Sequence, residues 1–211
     1  MTIPGFPHLR KRLFARMMSG GSQGCCDDAL TEQHKQRLFA GMRGDVIEIG
    51  PGGGANLQYM KGRDVHWIGI EPNPFMNTYL MAEAARLGIR PDLRTGFAEH
   101  LLVPDACADW VISTRVLCSV TDQTTALREV LRVLRPGGRF VFIEHVAAQG
   151  GALRTVQNVI APAWRAISDG CHPNRETWAV IESAGFSALD LKHYRMDAPI
   201  FGPHIAGIGV K

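Results

Sequence analysis

The sequence lacks any long hydrophobic run. Its longest stretch without an acidic or basic residue, residues 198–210, has 13 residues and is interrupted by glycine and proline. A helix that crosses a membrane needs about 20 apolar residues. We therefore expect no transmembrane segment.

Cysteine is scarce, and its spacing carries no motif. The five cysteines, at positions 25, 26, 107, 118 and 171, include no pair separated by two residues. An odd count with two adjacent members suits neither a disulfide framework nor a zinc site. The sequence thus predicts no metal and a reducing, cytoplasmic location, with Cys118 and Cys171 interpreted as small buried hydrophobes.

An excess of positive charge occurs only near the amino terminus. The net charge is +3, and Arg10, Lys11, Arg12 and Arg16 all fall within the first 18 residues, which contain no acid. The rest of the chain is close to neutral, so it offers no basic stripe for nucleic acid. We therefore expect no DNA or RNA partner.

What is present is typical of one soluble α/β domain. Apolar residues make up 45% of the chain and charged residues 20%. Strand and helix patterns alternate, which indicates βαβ units around a parallel sheet. The predicted strands are 45–50, 65–70, 90–95, 109–114 and 139–146, the helices between them are 73–87 and 122–134, and helices at 153–168 and 174–184 follow. Two final β-like stretches, 186–195 and 204–210, are expected to pair as an antiparallel edge.

The fold class is therefore α/β and Rossmann-like, with seven strands in a mostly parallel sheet. A short amphipathic helix at 8–18 precedes it, and Ser19 to Gly24 break that helix. We predict an N-terminal arm over residues 1–28 and one domain over 29–211.

A glycine-rich turn follows the first strand. Gly50 and Gly52 allow a tight turn and close approach of a ligand, and a helix is expected after them. Glu71 ends the second strand, 21 residues after Gly50. A carboxylate at that strand tip can accept hydrogen bonds from both hydroxyls of a ribose.

Two ribose-containing ligands suit this scaffold: a nicotinamide dinucleotide and S-adenosylmethionine (SAM). Glu48 lies two residues before the first glycine. An acid there is unfavourable beside an anionic pyrophosphate and favourable beside the cationic ammonium and sulfonium groups of SAM. The sequence favours SAM.

These segments resemble the class I SAM-dependent methyltransferases over residues 45–146. The resemblance lies in the glycine motif at 46–54, the acidic loop at 70–74, the adenine-loop position at 96–101, and the fourth and fifth strands. Phe97 stands where many members carry an Asp, so backbone or Glu99 would take the adenine amino group. The resemblance assigns cofactor binding to Glu48, Gly50, Gly52, Asn56, Glu71, Pro72, Asn73, Phe97, Ala98, Glu99, Thr114 and Val116.

The C-terminal third extends the resemblance. Residues 114–120, 144–148, 162–164, 169–171, 175–178 and 202–207 are similar, in the same order, to segments of the microsomal alkyl-thiol S-methyltransferases. That family implies methyl transfer from SAM to a small thiol acceptor, sulfide included. The alternatives are O-, N- or C-methylation of a lipophilic metabolite such as a quinol or phospholipid headgroup, a nicotinamide-dependent oxidoreductase, and a SAM-binding regulator without catalysis.

The arm differs from the animal members of that family, which begin with a hydrophobic membrane anchor. Here the first helix is short and basic, so we expect either a lid over the cofactor site, which is favoured, or peripheral membrane contact. The sequence leaves the oligomeric state open.

The expected catalytic candidates are His145, Asp169 and His204. His145 ends the fifth strand, where ligands of doubly wound folds bind, and an imidazole is suited to take a proton near neutral pH. Alternatives are a structural histidine at 145, a helix cap at Asp169 and a buried edge histidine at 204. Trp164, Trp178 and Phe201 could wall an acceptor pocket or belong to the core.

Overall fold

The computed structural model describes residues 6–19 and 27–211. The predicted arm is thus described in part, and Cys25 and Cys26 lie outside the described residues. The helices are α1 (Phe6–Ser19), α2 (Ala29–Phe39), α3 (Asn77–Leu87), α4 (Gln123–Val133), α5 (Gly151–Ile167) and α6 (Thr177–Glu182). The strands are β1 (Gly44–Ile49), β2 (Val65–Glu71), β3 (Asp92–Thr95), β4 (Ala108–Thr114), β5 (Leu134–His145), β6 (Ala188–Arg195) and β7 (Pro203–Val210).

One sheet of seven strands has the order β3-β2-β1-β4-β5-β7-β6. The first five strands are parallel, and β7 is antiparallel to both β5 and β6. This confirms the predicted fold class. The antiparallel pair at the C-terminus also forms as expected, and β7 lies between β5 and β6 in the sheet.

Alternating side chains of the inner strands form two hydrophobic layers. Ile47, Val111 and Phe142 belong to one layer, which includes residues of α4 and α6. Val46 and Ile112 belong to the other, which includes residues of α2 and α3. Both faces of the central strands are buried, as parallel sheets require.

Three predicted elements are absent or shifted by four residues or more at one end. After the glycine turn the chain forms only a single 3-10 turn, Leu57–Tyr59, instead of a helix, because Gly62 in the left-handed region turns it back towards β2. α3 begins at 77 rather than 73, because residues 74–76 form hydrogen-bonded turns, in which Met76 N–H donates to the carbonyl of Asn73 at 2.9 Å. β5 begins at 134 rather than 139, directly at the end of α4.

The carboxyl ends of β1, β2, β4 and β5 meet at one edge of the sheet. The strand order reverses between β1 and β4, which is the position where open α/β sheets bind their ligands. The predicted site residues after these four strands are therefore brought to a common edge.

Candidate active site

The glycine turn after β1 is held against β2 and β4. Gly50 donates its backbone N–H to the carbonyl of Ile70 at 2.8 Å. Its φ is +59°, and a Cβ there would lie 2.7 Å from Val116 Cγ2, so no larger residue fits. Gly52 also has positive φ, but a Cβ on it would meet nothing within 4 Å. The turn is thus packed on the Gly50 side and open at Gly52.

Glu48 lies beneath this turn and is 2% exposed. Its carboxylate accepts from Asn56 Nδ2 at 2.8 Å and from Trp67 Nε1 at 2.9 Å. Burial raises the pKa of Glu48 despite these two donors. Asn56 Nδ2 also donates to Thr114 Oγ1 at 3.0 Å.

The amide of Asn56 leaves one acceptor unused. Asn56 Oδ1 is buried and has no hydrogen-bond partner among the described residues. An unpaired buried oxygen is costly unless a donor reaches it. Beside an acid and the open Gly52, this oxygen fits the ammonium group of a bound amino acid moiety.

Glu71, at the end of β2, is tied to the backbone on both sides. Its carboxylate accepts from Gly52 N–H at 2.9 Å and from Asn73 N–H at 2.8 Å. Burial, together with the nearby negative charge of Asp169, raises the pKa of Glu71 above its ordinary value, although the two N–H donors oppose the shift. Each oxygen keeps a lone pair, so the carboxylate can accept the two hydroxyls of a ribose.

α1 lies over the loop that follows Glu71. Lys11 Nζ donates to the carbonyl of Pro72 at 3.0 Å, and Asn73 Nδ2 donates to the carbonyl of Lys11 at 3.1 Å. Arg10 contacts Asp169 at 3.5 Å. These contacts are what a lid over the cofactor site needs; the division of the chain at residue 28 stays a prediction.

The adenine-loop residues have three different environments. Phe97 is 59% exposed and Ala98 is buried. Glu99 Oε1 accepts from the backbone N–H groups of Thr121 and Asp122, at 2.6 and 3.3 Å. Phe97 is thus free to stack on a ring, whereas one oxygen of Glu99 already holds the loop at 121–122.

His145 ends β5 beside two cysteines. His145 Nε2 lies 2.9 Å from Cys171 Sγ, and Trp164 Nε1 donates to the same sulfur at 3.3 Å. The Sγ atoms of Cys118 and Cys171 and a ring nitrogen of His145 all lie within 4.8 Å of one another. His145 is 7% exposed, and no described atom pairs with its Nδ1.

His204 lies on β7 directly opposite His145 in the sheet register. Its Nδ1 lies 3.0 Å from the carbonyl of Gly202, an acceptor only, so Nδ1 carries the proton and Nε2 is an acceptor. His204 Nε2 is buried and unpaired within the described part of the chain. Burial lowers the pKa of His204 to about 4, so its imidazole is neutral at physiological pH.

Asp169 does not cap a helix, so that alternative was wrong. α6 begins eight residues later with Glu176 at its cap position, and Asp169 follows the end of α5 with a φ of +51°. Its carboxylate accepts from Asn73 Nδ2 at 3.4 Å. Asp169 therefore lies against the ribose loop, and its place as a catalytic residue stays a prediction.

The site residues fall into two groups. We call Glu48, Asn56 and Glu71 the cofactor side, and Cys118, His145, Cys171 and His204 the acceptor side. Trp164 and Phe201 border the acceptor side, with ring centroids 4.3 Å apart, and the Phe201 ring lies 6.2 Å from that of His145. Sequence reasoning did not bring Cys118 and Cys171 into the site, because they lie in separate loops.

Comparisons with known proteins agree with this geometry. A family model described as a methyltransferase domain matches residues 47–142. Human thiol S-methyltransferase TMT1A is 41% identical over 182 residues, covering 82% of this chain and 74% of that protein. Rat thiol S-methyltransferase TMT1B is 36% identical over 225 residues, covering 98% and 86%.

The chain belongs to the thiol S-methyltransferase family. It is a methyltransferase. This confirms the resemblance, and the alternative of a nicotinamide-dependent oxidoreductase was wrong. A SAM-dependent methyltransferase from Aquifex aeolicus shares the fold, with a TM-score of 0.58 and 15% identity over 85% of this chain and 88% of that one. No helix within residues 6–19 and 27–211 of this thiol S-methyltransferase family member is long and apolar enough to cross a membrane.

Proposed function

We propose that the chain transfers the methyl group of SAM to a small thiol, giving a thioether and S-adenosylhomocysteine. The observation that carries the proposal is the joining of a cofactor side to a sulfur-rich, aromatic-bordered acceptor side at one edge of the sheet. The 41% identity to a thiol S-methyltransferase supports the acceptor class.

The cofactor side fits SAM in charge and in hydrogen bonding. The unpaired Asn56 Oδ1 accepts from the ammonium group, while Glu48 beneath it adds negative charge. Glu71 accepts from the ribose hydroxyls, and the exposed ring of Phe97 covers the adenine. A pyrophosphate in the same place would face two carboxylates.

SAM supplies a methyl group on a positively charged sulfur. The acceptor sulfur forms a bond to that carbon as the carbon–sulfonium bond breaks. The thiol proton passes to a histidine of the acceptor side, and from there to solvent, before or during the transfer. The protein's contribution is to align the two sulfurs and to exclude water, which α1, Trp164 and Phe201 are placed to do.

A thiol needs little help to react, whereas a phenol or amine needs more. The unperturbed pKa of a thiol is about 8.5, so a usable fraction is thiolate at neutral pH. Asp169 is engaged with Arg10 and Asn73, which leaves His145 and His204 as the basic groups nearest the acceptor. His145 Nδ1 and the neutral His204 Nε2 are the atoms we assign to receive a proton from the acceptor.

The decisive test is a methylation assay with SAM and a panel of acceptors. The panel contains sulfide, methanethiol, alkyl and aryl thiols, and their phenol, amine and quinol counterparts, with products identified by mass spectrometry. We expect methylated thiols only, and no product from the Glu71→Ala variant. Product from phenols, amines or quinols with none from thiols would overturn the acceptor class.

Two further proposals follow from the same residues. The cysteine usage supports a reducing, cytoplasmic location, in which Cys118 and Cys171 remain free thiols. The contacts of Lys11 with Pro72 and Asn73 support the lid function of the arm over peripheral membrane contact.

A further inference from the structure

The acceptor side contains two thiols beside an imidazole, and the proposed chemistry gives the two thiols no role. The cysteine spacing predicts no metal site, because no two of these ligands lie within a short motif. The fold nevertheless brings Cys118, His145 and Cys171 together from the loop after β4, the end of β5 and the loop after α5, with their ligand atoms all within 4.8 Å.

We propose that Cys118, His145 and Cys171 form a site for a zinc-type cation whose fourth coordination position takes the thiolate of the acceptor. The ion-binding half of this inference stands alone, and the acceptor half rests on the proposed function. Three protein ligands with one open tetrahedral position are the arrangement found in catalytic zinc sites.

The distances suit such an ion after a small adjustment. Two ligands at zinc distances of about 2.1 and 2.3 Å in a tetrahedron lie roughly 3.6–3.8 Å apart. His145 Nε2 and Cys171 Sγ, at 2.9 Å, must therefore separate by about 0.7 Å. The other two pairs, at no more than 4.8 Å, must approach by about 1 Å at most.

The charges of the cluster also favour a divalent cation. Two thiolates and a neutral imidazole balance a doubly charged ion, so the buried centre becomes neutral. Arg175 lies near both thiols, and its Nη1 is held by the carbonyls of Leu117 and Val120 at 3.0 and 2.6 Å. Its positive charge would compensate the third thiolate that an acceptor adds.

The second nitrogen of His145 is matched by its neighbour. With Nε2 bound to an ion, the proton of His145 lies on Nδ1, which makes Nδ1 a donor. In the ion-bound form the acceptor's proton therefore passes to His204 Nε2 and not to His145 Nδ1. His204 presents an unprotonated Nε2 on a ring whose centroid is 6.1 Å away, within reach of one bridging water. Ion binding would thus give a hydrogen-bond partner, through that water, to both His145 Nδ1 and His204 Nε2.

The environment of Cys171 prepares it as a ligand and as an entry point. Trp164 Nε1 donates to Cys171 Sγ at 3.3 Å, and His145 Nε2 lies 2.9 Å from the same sulfur. Cys118 and His145 are buried, whereas Cys171 is partly exposed, so an ion or a thiol can approach from its side.

The test uses Co2+ as a visible probe for the spectroscopically silent Zn2+. The full chain, purified with reductant, is titrated with Co2+, and thiolate-to-cobalt charge-transfer and tetrahedral ligand-field bands are recorded. We expect about one ion per chain, displaced by Zn2+, and loss of the bands in Cys118→Ser and Cys171→Ser. Cys107→Ser, at the amino end of β4, and the double variant Cys25→Ser/Cys26→Ser are the matched controls and should keep them.

Addition of methanethiol to the Co2+ form should raise the charge-transfer intensity about 1.5-fold, as a third thiolate joins two. An octahedral spectrum, bands that survive both Cys118→Ser and Cys171→Ser, or a Cys118–Cys171 disulfide formed in the presence of reductant and Zn2+ would each overturn the ion site. Bands that do not respond to thiol would overturn the acceptor-binding half.

The two proposals fail in different ways. Thiol methylation by metal-free protein that Zn2+ does not change would overturn the zinc function and leave the proposed reaction intact. Cobalt bands that respond to thiol in a protein that methylates only phenols or amines would overturn the proposed reaction and leave the ion site intact.

Discussion

The cofactor side and the acceptor side are built in different ways. On the cofactor side the polar groups lie close in sequence and are largely paired, as Glu71 is with Asn73 and Glu48 with Asn56. On the acceptor side the contacts join residues far apart, such as His145 with Cys171 and Cys118 with His172. Two buried histidine nitrogens there have no hydrogen-bond partner among the described residues. The cofactor side is a preformed hydrogen-bonding surface for one ligand. The acceptor side has unpaired nitrogens that are available to bind another.

The largest effect on ligand binding should come from a substitution that alters only the cofactor side. Glu71→Ala removes the ribose acceptor and costs about 3 kcal/mol, or about a hundredfold in the Kd for SAM. Isothermal titration calorimetry with SAM measures it. Glu83→Ala, at a partly buried acid of α3 paired with Arg86, is the matched control and should bind SAM normally.

Unchanged SAM affinity in Glu71→Ala would show that the ribose binds elsewhere. Weakened affinity in Glu83→Ala to the same degree would instead point to a general loss of the fold. Circular dichroism on both variants separates these two outcomes.

The second-largest effect, on turnover, should come from a substitution that alters only the acceptor side. His145→Ala should lower kcat for thiol methylation at least about tenfold, because the group that receives the proton or holds the thiolate is lost. The Kd for SAM should stay within about twofold, since the hydrogen-bond and ring contacts of His145 are with Cys171, Phe201 and His204. His66→Ala on β2, an exposed histidine paired with Asp45, should keep full activity.

A parallel loss of SAM binding and turnover in His145→Ala would refute the separation of the two sides. Steady-state kinetics with methanethiol, alongside calorimetry, provides both values for the same preparation.

A smaller effect is the pH dependence of SAM binding. Burial and Asp169 raise the pKa of Glu71 in the free protein above its ordinary 4.5, and ribose hydroxyls donate to the ionised form. As the pH falls, Glu71 therefore takes up a proton earlier than an ordinary glutamate, and SAM affinity decreases; it recovers as the pH rises to neutral.

Calorimetry at several pH values from about 8 down to about 4.5 would show this loss. Glu71→Gln, which cannot titrate, should bind more weakly and with a nearly flat profile over the same range. A wild-type profile as flat as that of Glu71→Gln would contradict the assignment.

The smallest effect should come from the arm, which contacts the loop after Glu71 and Asp169. Lys11→Ala removes the contact with the Pro72 carbonyl, and because Lys11 is only half-buried we expect about a two- to fivefold rise in the KM for SAM. Arg12→Ala, on the exposed side of α1, is the control. Equal effects of the two substitutions would indicate a general charge effect in place of a lid.

Much of the fold and the location of the cofactor side could be predicted because their signals are local. Glycines at 50 and 52, and acids at 48 and 71, follow strands whose apolar patterns are plain in the sequence. The same locality explains the error after the glycine turn, where a helix was expected. A 3-10 turn forms there because Gly62 and the approach to β2 leave too little chain for a helix.

The acceptor side could not be predicted to the same degree. Cys118 and Cys171 belong to loops that meet only when α5 packs near the end of β4, where His172 N–H donates to the carbonyl of Cys118 at 2.9 Å. No spacing rule links residues 53 positions apart. His204 was predicted as a candidate, but its pairing opposite His145 depends on the register of β7 against β5.

The position of β7 has a consequence for how the protein is made. β7 follows β6 in the chain yet lies between β5 and β6, so a ribosome releases the inner strand after the outer one. β6 has no partner until β7 emerges, and His204 then reaches His145 in the same step. Synthesis therefore completes the cofactor side first, and the acceptor side is assembled by the last strand of the sheet.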